Sequence, residues 1–223
     1  MSLLNFRSLL TVSFFILSII VSSAQGFTSS EADKFNRWSI EVSAGVHAPI
    51  KTFNIPARSK YIAFNQFELA GRYMFTEKIG IKGHYGFNSF VNSDDTSMGL
   101  TMNRVGLEGV FNVDKILNIN YRFRERLGLL FHTGIGVTVG KSSSATPLDH
   151  MGNFLVGFTG QYKLNDRLSL IGDMTYIMNF KQNYAYSGQL FNPENNPSTN
   201  SFVNVSVGIM YSLGQNSHHA DWD

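Results

Sequence analysis

From residue 203 onward the chain sets Val203, Val205, Val207, Ile209, Tyr211 and Leu213 on one face and Asn204, Ser206, Gly208, Met210 and Ser212 on the other. Strict alternation of apolar with small or polar residues is the mark of a β-strand, whose successive side chains point to opposite faces. The same repeat recurs along the chain in segments of about ten residues, the length at which a tilted strand crosses a bilayer. A chain patterned in this way folds either as a membrane barrel, apolar outside and polar within, or as a soluble sandwich or lipocalin-like barrel with the polarity reversed. The charges that alternate with the large apolar residues are few and balanced in sign, which favours the membrane form.

Eight segments carry the repeat, at about 38–46, 65–75, 79–87, 104–113, 127–139, 154–164, 168–180 and 202–213. The expected fold class is all-β: an eight-stranded antiparallel transmembrane β-barrel, wound as an up-and-down meander, with the even strand number of bacterial single-chain barrels. Thr76-Glu77-Lys78 and Asn165-Asp166-Arg167 are tight links, whereas 47–64, 90–99, 140–152 and 181–201 are long and rich in Asn, Ser, Asp, Pro and Gly. In outer-membrane barrels short turns face the periplasm and long loops face outside, so both ends of the barrel are expected to be periplasmic. Aromatic residues then sort into two headgroup-level belts. Trp38, Tyr73, Phe75, Phe111, Tyr162 and Tyr211 fall at the inner rim, and Phe67, Tyr85, Phe87, Tyr176, Phe180 and Phe202 at the outer. Residues 114–125 are too long for a tight turn and carry Ile116, Leu117, Ile119, Tyr121 and Phe123, as a short amphipathic helix or flap along the inner interface would. Arg122, Arg124 and Arg126 read as a solvated basic rim.

Ahead of the barrel, Arg7, an apolar run over 9–21 and Ser22-Ser23-Ala24 have the form of a secretory leader. The expected organisation is a signal peptide over 1–24, a periplasmic segment over 25–37, the barrel over 38–213 and a periplasmic tail over 214–223. The net charge of +2 includes Arg7, so the exported chain is nearly neutral, and no clustered basic face suggests nucleic acid as a partner. The absence of cysteine rules out a disulfide framework and thiolate metal sites. The expected location is the outer membrane.

Arg126-Leu127-Gly128-Leu129-Leu130-Phe131-His132-Thr133-Gly134-Ile135-Gly136, then Asp166-Arg167-Leu168-Ser169-Leu170 and Asp173-Met174-Thr175-Tyr176, resemble the barrel half of OmpA-type outer-membrane proteins from Bacteroidetes. His219-Ala220-Asp221-Trp222 is similar to the junction after which those proteins continue into a peptidoglycan-binding domain, and that domain is expected to be lacking here. The resemblance implies a structural or anchoring role. It also implies a last strand, Ser206 to Leu213, read by the outer-membrane assembly machinery. Lipid and lipopolysaccharide are the expected surroundings, the barrel is expected to be monomeric, and peptidoglycan binding is not expected of this chain alone. A small low-conductance pore and a surface adhesin or receptor acting through the long loops are the alternatives.

Within the lumen, the inward positions carry Glu41, Glu68, Glu108 and Asp173 against Arg72, Lys82, Arg104 and Lys163. Glu41, Arg72, Lys82 and Glu108 fall at similar heights, with His132 and Asp173 across from them and Glu68 and Arg104 flanking Gly86 above. Buried charges need partners, so a hydrogen-bonded plug is expected. No enzyme is expected: none of the six histidines has a serine two residues later, as a base and nucleophile on one strand would require, and Asp94, Asp95 and Asp149 are turn formers. No cofactor or metal is expected either, since His218, His219 and Asp221 stand in a terminal segment expected to be mobile.

Overall fold

A computed structural model describes residues 35–50, 63–92, 95–119, 125–190, 198–216 and 218–222. The leader segment, Asp94, Arg122, Arg124 and parts of the long loops lie outside the described residues. Eight strands form a closed antiparallel barrel: β1 (Trp38–Pro49), β2 (Ala63–Met74), β3 (Ile79–Val91), β4 (Gly99–Asn112), β5 (Leu127–Ser142), β6 (Asp149–Lys163), β7 (Leu168–Gln182) and β8 (Ser198–Leu213). Each strand pairs with its chain neighbours, and β8 returns to β1 along a seam from Trp38↔Leu213 to Pro49↔Phe202.

The turns follow from their residues. Thr76 Oγ1 accepts from the Lys78 and Ile79 amides at 3.0 and 3.1 Å, and Asn165 Oδ1 accepts from those of Arg167 and Leu168 at 2.9 and 2.8 Å. Side-chain oxygens that mimic a backbone acceptor let the chain reverse in four residues, 75–78 and 164–167. The longer inner connection opens with one helical turn, α1 (Val113–Ile116), capped by the Asn112 side chain; Asp114 then accepts from the Leu129 amide at 2.7 Å. Ile116, Leu117 and Ile119 remain exposed beside it.

At the end that carries the long loops, labelled extracellular after the rule that long loops of outer-membrane barrels face outside and short turns the periplasm, the strands outrun the apolar repeat. β3 continues to Val91, β4 begins at Gly99 and β6 at Asp149, because ladder bonds need backbone groups rather than apolar side chains. Asn88↔Met102, Ser89↔Thr101 and Phe90↔Leu100 are paired although the first two positions of β3 here are polar. Only about 9–11 residues of a tilted strand are needed to cross the hydrocarbon, so the ends of these strands stand above it.

The barrel is inside-out by the standards of a soluble protein. Ile135 and Val207 are each 69% exposed, while Arg72 is 0% and Arg104 1% exposed. That distribution excludes the soluble alternative, because only hydrocarbon leaves such an exterior without a cost. Among the described residues no helix is long and apolar enough to cross a membrane; the strands cross it.

Candidate functional site

The barrel axis is lined by three successive layers. At the periplasmic mouth the centre is Arg72 on β2, whose Nε lies 2.9 Å from Glu41 Oε1 on β1 and whose Nη2 lies 2.8 Å from Asp221 Oδ2. Asp221 belongs to a 3₁₀ turn (Ala220–Trp222) that follows β8 back into the mouth. Two strand-like bonds hold the returning segment: the Asn36 amide donates to the His218 carbonyl at 2.8 Å, and the Ala220 amide to the Asn36 carbonyl at 3.0 Å. Phe35, Met74 and Ala220 pack beneath it. His219 and Asp221 are buried, with His219 Nδ1 3.3 Å from Asp221 Oδ2. The expectation of a mobile terminus is therefore corrected for residues 218–222: burial of an apolar patch and an ion pair fixes them. Burial alone would raise the Asp221 carboxyl, but the Arg72 guanidinium and His219 outweigh it and hold the acid well below the usual carboxylate range.

The middle layer is a chain of side chains across the lumen. Lys82 Nζ lies 3.5 Å from Glu68 Oε1 and 3.2 Å from Glu108 Oε1; His132 Nδ1 lies 2.7 Å from Glu108 Oε2, and its Nε2 lies 3.0 Å from Asp173 Oδ2. The Thr159 hydroxyl donates to Asp173 at 2.7 Å and the Thr175 hydroxyl at 2.5 Å. His84 Nδ1 stands 2.9 Å from Glu108 Oε1, ion-pair distance but too poorly angled to form a hydrogen bond. His132 on β5 reaches Asp173 on β7 past β6 because its neighbour there is Gly157; a Cβ would stand 2.6 Å from His132 Nε2. Gly86 does the same for Arg104, whose Nη2 then lies 3.9 Å from Glu68 Oε2.

These positions resolve the single ring expected from the sequence into two groups. Glu41 and Arg72 join the tail, while Glu68, Lys82, Glu108, His132 and Asp173 run from β2 to β7, with Arg104 above them. Lys163 joins neither and pairs with Asp166 at the periplasmic rim, 3.0 Å away.

The extracellular layer starts with amides: Asn88 Nδ2 donates to Asn204 Oδ1 at 2.9 Å, Asn153 Nδ2 to Asn179 Oδ1 at 2.7 Å, and Asn179 Nδ2 to Gln182 Oε1 at 3.0 Å. Interleaved with them and reaching to the loop end, Phe90, Leu100, Met102, Met151, Leu155, Ile177 and Phe202 form an apolar core with Tyr184 and Tyr186. Those tyrosines come from the segment after β7, which is laid over the lumen. Asp149 holds it there, accepting from the Asn183 amide at 2.8 Å, the Asn183 side chain at 2.7 Å and the Tyr184 amide at 3.3 Å. Burial pushes the Tyr186 phenol well above its ordinary value.

Of the expected aromatic belts, Trp38, Tyr73, Phe75, Phe111, Tyr162 and Tyr211 occupy outward positions near the periplasmic turns, and Phe67, Tyr85, Phe87, Tyr176 and Phe180 outward positions toward the loops. Phe202 is a correction. It is fully buried in the lumen, edge-on to Phe90 at 5.2 Å, because the outward residues of β8 are the odd-numbered ones from Val203 to Leu213. Sequence reasoning misses both the tail and the loop cover. Tyr184-Ala185-Tyr186 inside a polar loop is the available signal for the second; the first has none beyond the apolar Ala220 and Trp222.

No protein-family model matches the sequence, and no curated protein matches it. Among solved structures, the chain is similar to the Neisserial surface protein A (NspA), with 9% identity, 79% of this chain and 97% of that chain covered, and a TM-score of 0.51. A major outer membrane protein from Thermus thermophilus matches at 11% identity over 79% of this chain and 98% of that chain, with a TM-score of 0.49. The N-terminal β-barrel domain of Pseudomonas aeruginosa OprF matches at 11% over 78% and 97%, with a TM-score of 0.44. At 9% identity the likeness to NspA is one of fold. Taken with the apolar exterior and the charged interior, that fold is an eight-stranded barrel of the outer membrane.

Proposed function

We propose that this chain is a structural outer-membrane barrel whose lumen is sealed, of the OmpA type found in Bacteroidetes. The observation that carries the reading is the side-chain path Glu68, Lys82, Glu108, His132 and Asp173, which runs from β2 to β7 with no separation above 3.5 Å. An eight-stranded barrel is narrow enough for side chains to fill, so a path of this kind leaves little room for a water column. The returning tail supports sealing from the periplasmic side, and the Tyr184–Tyr186 cover supports it from outside. In this reading the buried carboxylates are partners in the seal rather than catalysts: each lies within reach of a cation, a hydroxyl or an amide. The wild-type protein in planar bilayers is expected to show no steady conductance, only brief flickers. Glu108→Ala, which removes the acid between Lys82 and His132, is expected to lengthen and enlarge them. A large steady conductance from the wild type, unaltered in Glu108→Ala and Arg72→Ala, would favour the pore instead.

A further inference from the structure

We infer that Lys141, His150 and Lys181 form a surface on the outer wall of the barrel that binds the phosphate of a phosphorylated glycolipid in the outer leaflet. The inference rests on the outer-membrane location and stands apart from whether the lumen is sealed.

The first observation is one of distribution. Among the described residues of the eight strands, these three are the only Asp, Glu, Lys, Arg or His side chains at exposed positions on the outer wall; the others occupy inward register positions. They sit on three adjacent strands at the extracellular end. His150 pairs with Val139, two residues from Lys141, and Gly152 pairs with Phe180, next to Lys181. Among the described residues the outward strand ends on the other side of this rim are neutral, with Ser89 on β3, Thr101 on β4 and Ser201 on β8. The acid beside His150 in sequence, Asp149, turns into the lumen and is occupied by Asn183 and Tyr184. Neither lysine has an ion pair among the described residues.

The second observation is the backbone at Lys181. Phe180 faces outward, so regular alternation would send Lys181 into the lumen. Instead the register shifts between Asn179 and Gln182, Lys181 adopts φ 60°, and its side chain is exposed while Gln182 takes the inward place. A bulge of this kind re-aims a side chain. If placing Gln182 were its only purpose, Gly or Asn would adopt the left-handed conformation with less strain than Lys. A long cationic side chain held there despite the strain is a side chain that is used.

The third observation is height. Phe180 and Leu148, 41% and 52% exposed, lie beside the lysines and mark the edge of the apolar wall, where headgroups begin. Neighbouring strands stand about 4.8 Å apart, so two lysines one strand removed from each other can converge on a single phosphate, with His150 between them.

The test uses the full chain refolded in a zwitterionic detergent and titrated with bisphosphorylated lipid A, dephosphorylated lipid A and inorganic phosphate, with bound lipid read by native mass spectrometry. Phosphorylated lipid A is expected to bind at least roughly tenfold more tightly than the dephosphorylated form, and Lys141→Gln/Lys181→Gln to lose that preference. Lys141→Arg/Lys181→Arg is expected to keep it. Lys181→Gly provides a second variant that relieves the backbone and is expected to fold at least as well as the wild type while binding more weakly. Equal binding of both lipids, a double variant that binds like the wild type, or inorganic phosphate competing as well as the lipid would each overturn the inference.

Discussion

The two ends of the lumen are occupied by opposite chemistries. At the periplasmic end the central contact is ionic, Arg72 with Asp221 at 2.8 Å, and the segment that makes it comes from beyond the last strand. At the extracellular end the layer is apolar, with Tyr184 and Tyr186 on Phe90 and Phe202, and its segment follows directly from β7. A buried ion pair adds little net stability when intact but costs a great deal when halved, whereas an apolar core loses stability in proportion to the volume removed. The two ends should therefore respond differently to the same kind of damage.

Arg72→Ala is the severest break, because it strands two buried carboxylates, Glu41 and Asp221, at once. The expected loss is about 5 kcal/mol, the upper end for removing one partner of a buried pair, measured by urea unfolding of the refolded barrel in vesicles. Replacing all three residues by neutral ones of similar size, as in Glu41→Gln/Arg72→Met/Asp221→Asn, should cost much less than Arg72→Ala. If the triple variant is no better, the periplasmic closure is not governed by charge.

Phe202→Ala tests the other end and is expected to cost about 3 kcal/mol, the lower end for a buried Phe, since the Tyr186 side chain above it is free to settle into part of the space. Here the sharpening variant is Phe202→Leu, which restores most of the volume and should recover most of the loss. Charge substitutions nearby should not rescue it.

Asp149→Ala addresses how the cover is held rather than what it covers. The loss of three bonds to Asn183 and Tyr184 should cost about 1–3 kcal/mol, confined to the cover. Faster amide exchange and new protease cleavage within 183–190, with the barrel itself little altered, is the expected pattern. An equal change throughout the barrel would mean that the cover and the strands open together.

Acid separates the ends as well. The Asp221 carboxyl is depressed in the folded protein, so its contribution is complete above the ordinary carboxylate value, about 3.9, and is lost as pH falls below that toward the depressed folded value. Amide protection at Ala220–Trp222 should be flat from pH 8 to about 5 and decline only below about 4. Asn183–Tyr186 lie over an apolar core, and their protection should respond less.

The fold is legible in the sequence because the bilayer imposes a rule on every strand: alternate positions face hydrocarbon or lumen, and a two-residue period records that directly. The inward identities of Glu41, Arg72, Lys82 and Glu108 follow from the same parity. What parity does not record is distance along the axis or reach across it. Whether His132 meets Asp173 depends on Gly157 on the strand between them, a residue that by itself reads as a gap in the pattern. Phe202 is misplaced when an aromatic near a strand end is treated as a belt residue, although its even number already puts it inside. The strand ends above the membrane, such as Asn88 and Ser89, obey hydrogen bonding and not hydrophobicity, so in sequence they read as loop. The tail's place in the mouth depends on Asn36 and Arg72, residues more than a hundred positions away, and no local pattern encodes that.

The smallest effect expected is also the one with an unusual sign. Tyr186 is 8% exposed and its hydroxyl has no partner among the described residues, although the ring packs against Phe90 at 4.5 Å. A buried hydroxyl without a partner carries a desolvation cost that its removal relieves, whereas removal of a bonded one strands the partner. Tyr186→Phe keeps the ring and discards the cost, so it should stabilise the cover by up to about 1 kcal/mol, seen as slower exchange of the Asn183 and Tyr184 amides. The same argument fixes an alkaline response in the wild type. Below about pH 10 the phenol is neutral whether the segment is open or closed; as pH rises further the open segment ionises first, because burial holds the closed phenol well above its ordinary value, and the cover loses stability. Tyr186→Phe should abolish that alkaline opening of the cover while leaving the Arg72–Asp221 closure untouched. Destabilisation by Tyr186→Phe would instead mean that the hydroxyl is bonded, and that the extracellular end, like the periplasmic one, is held by a polar contact.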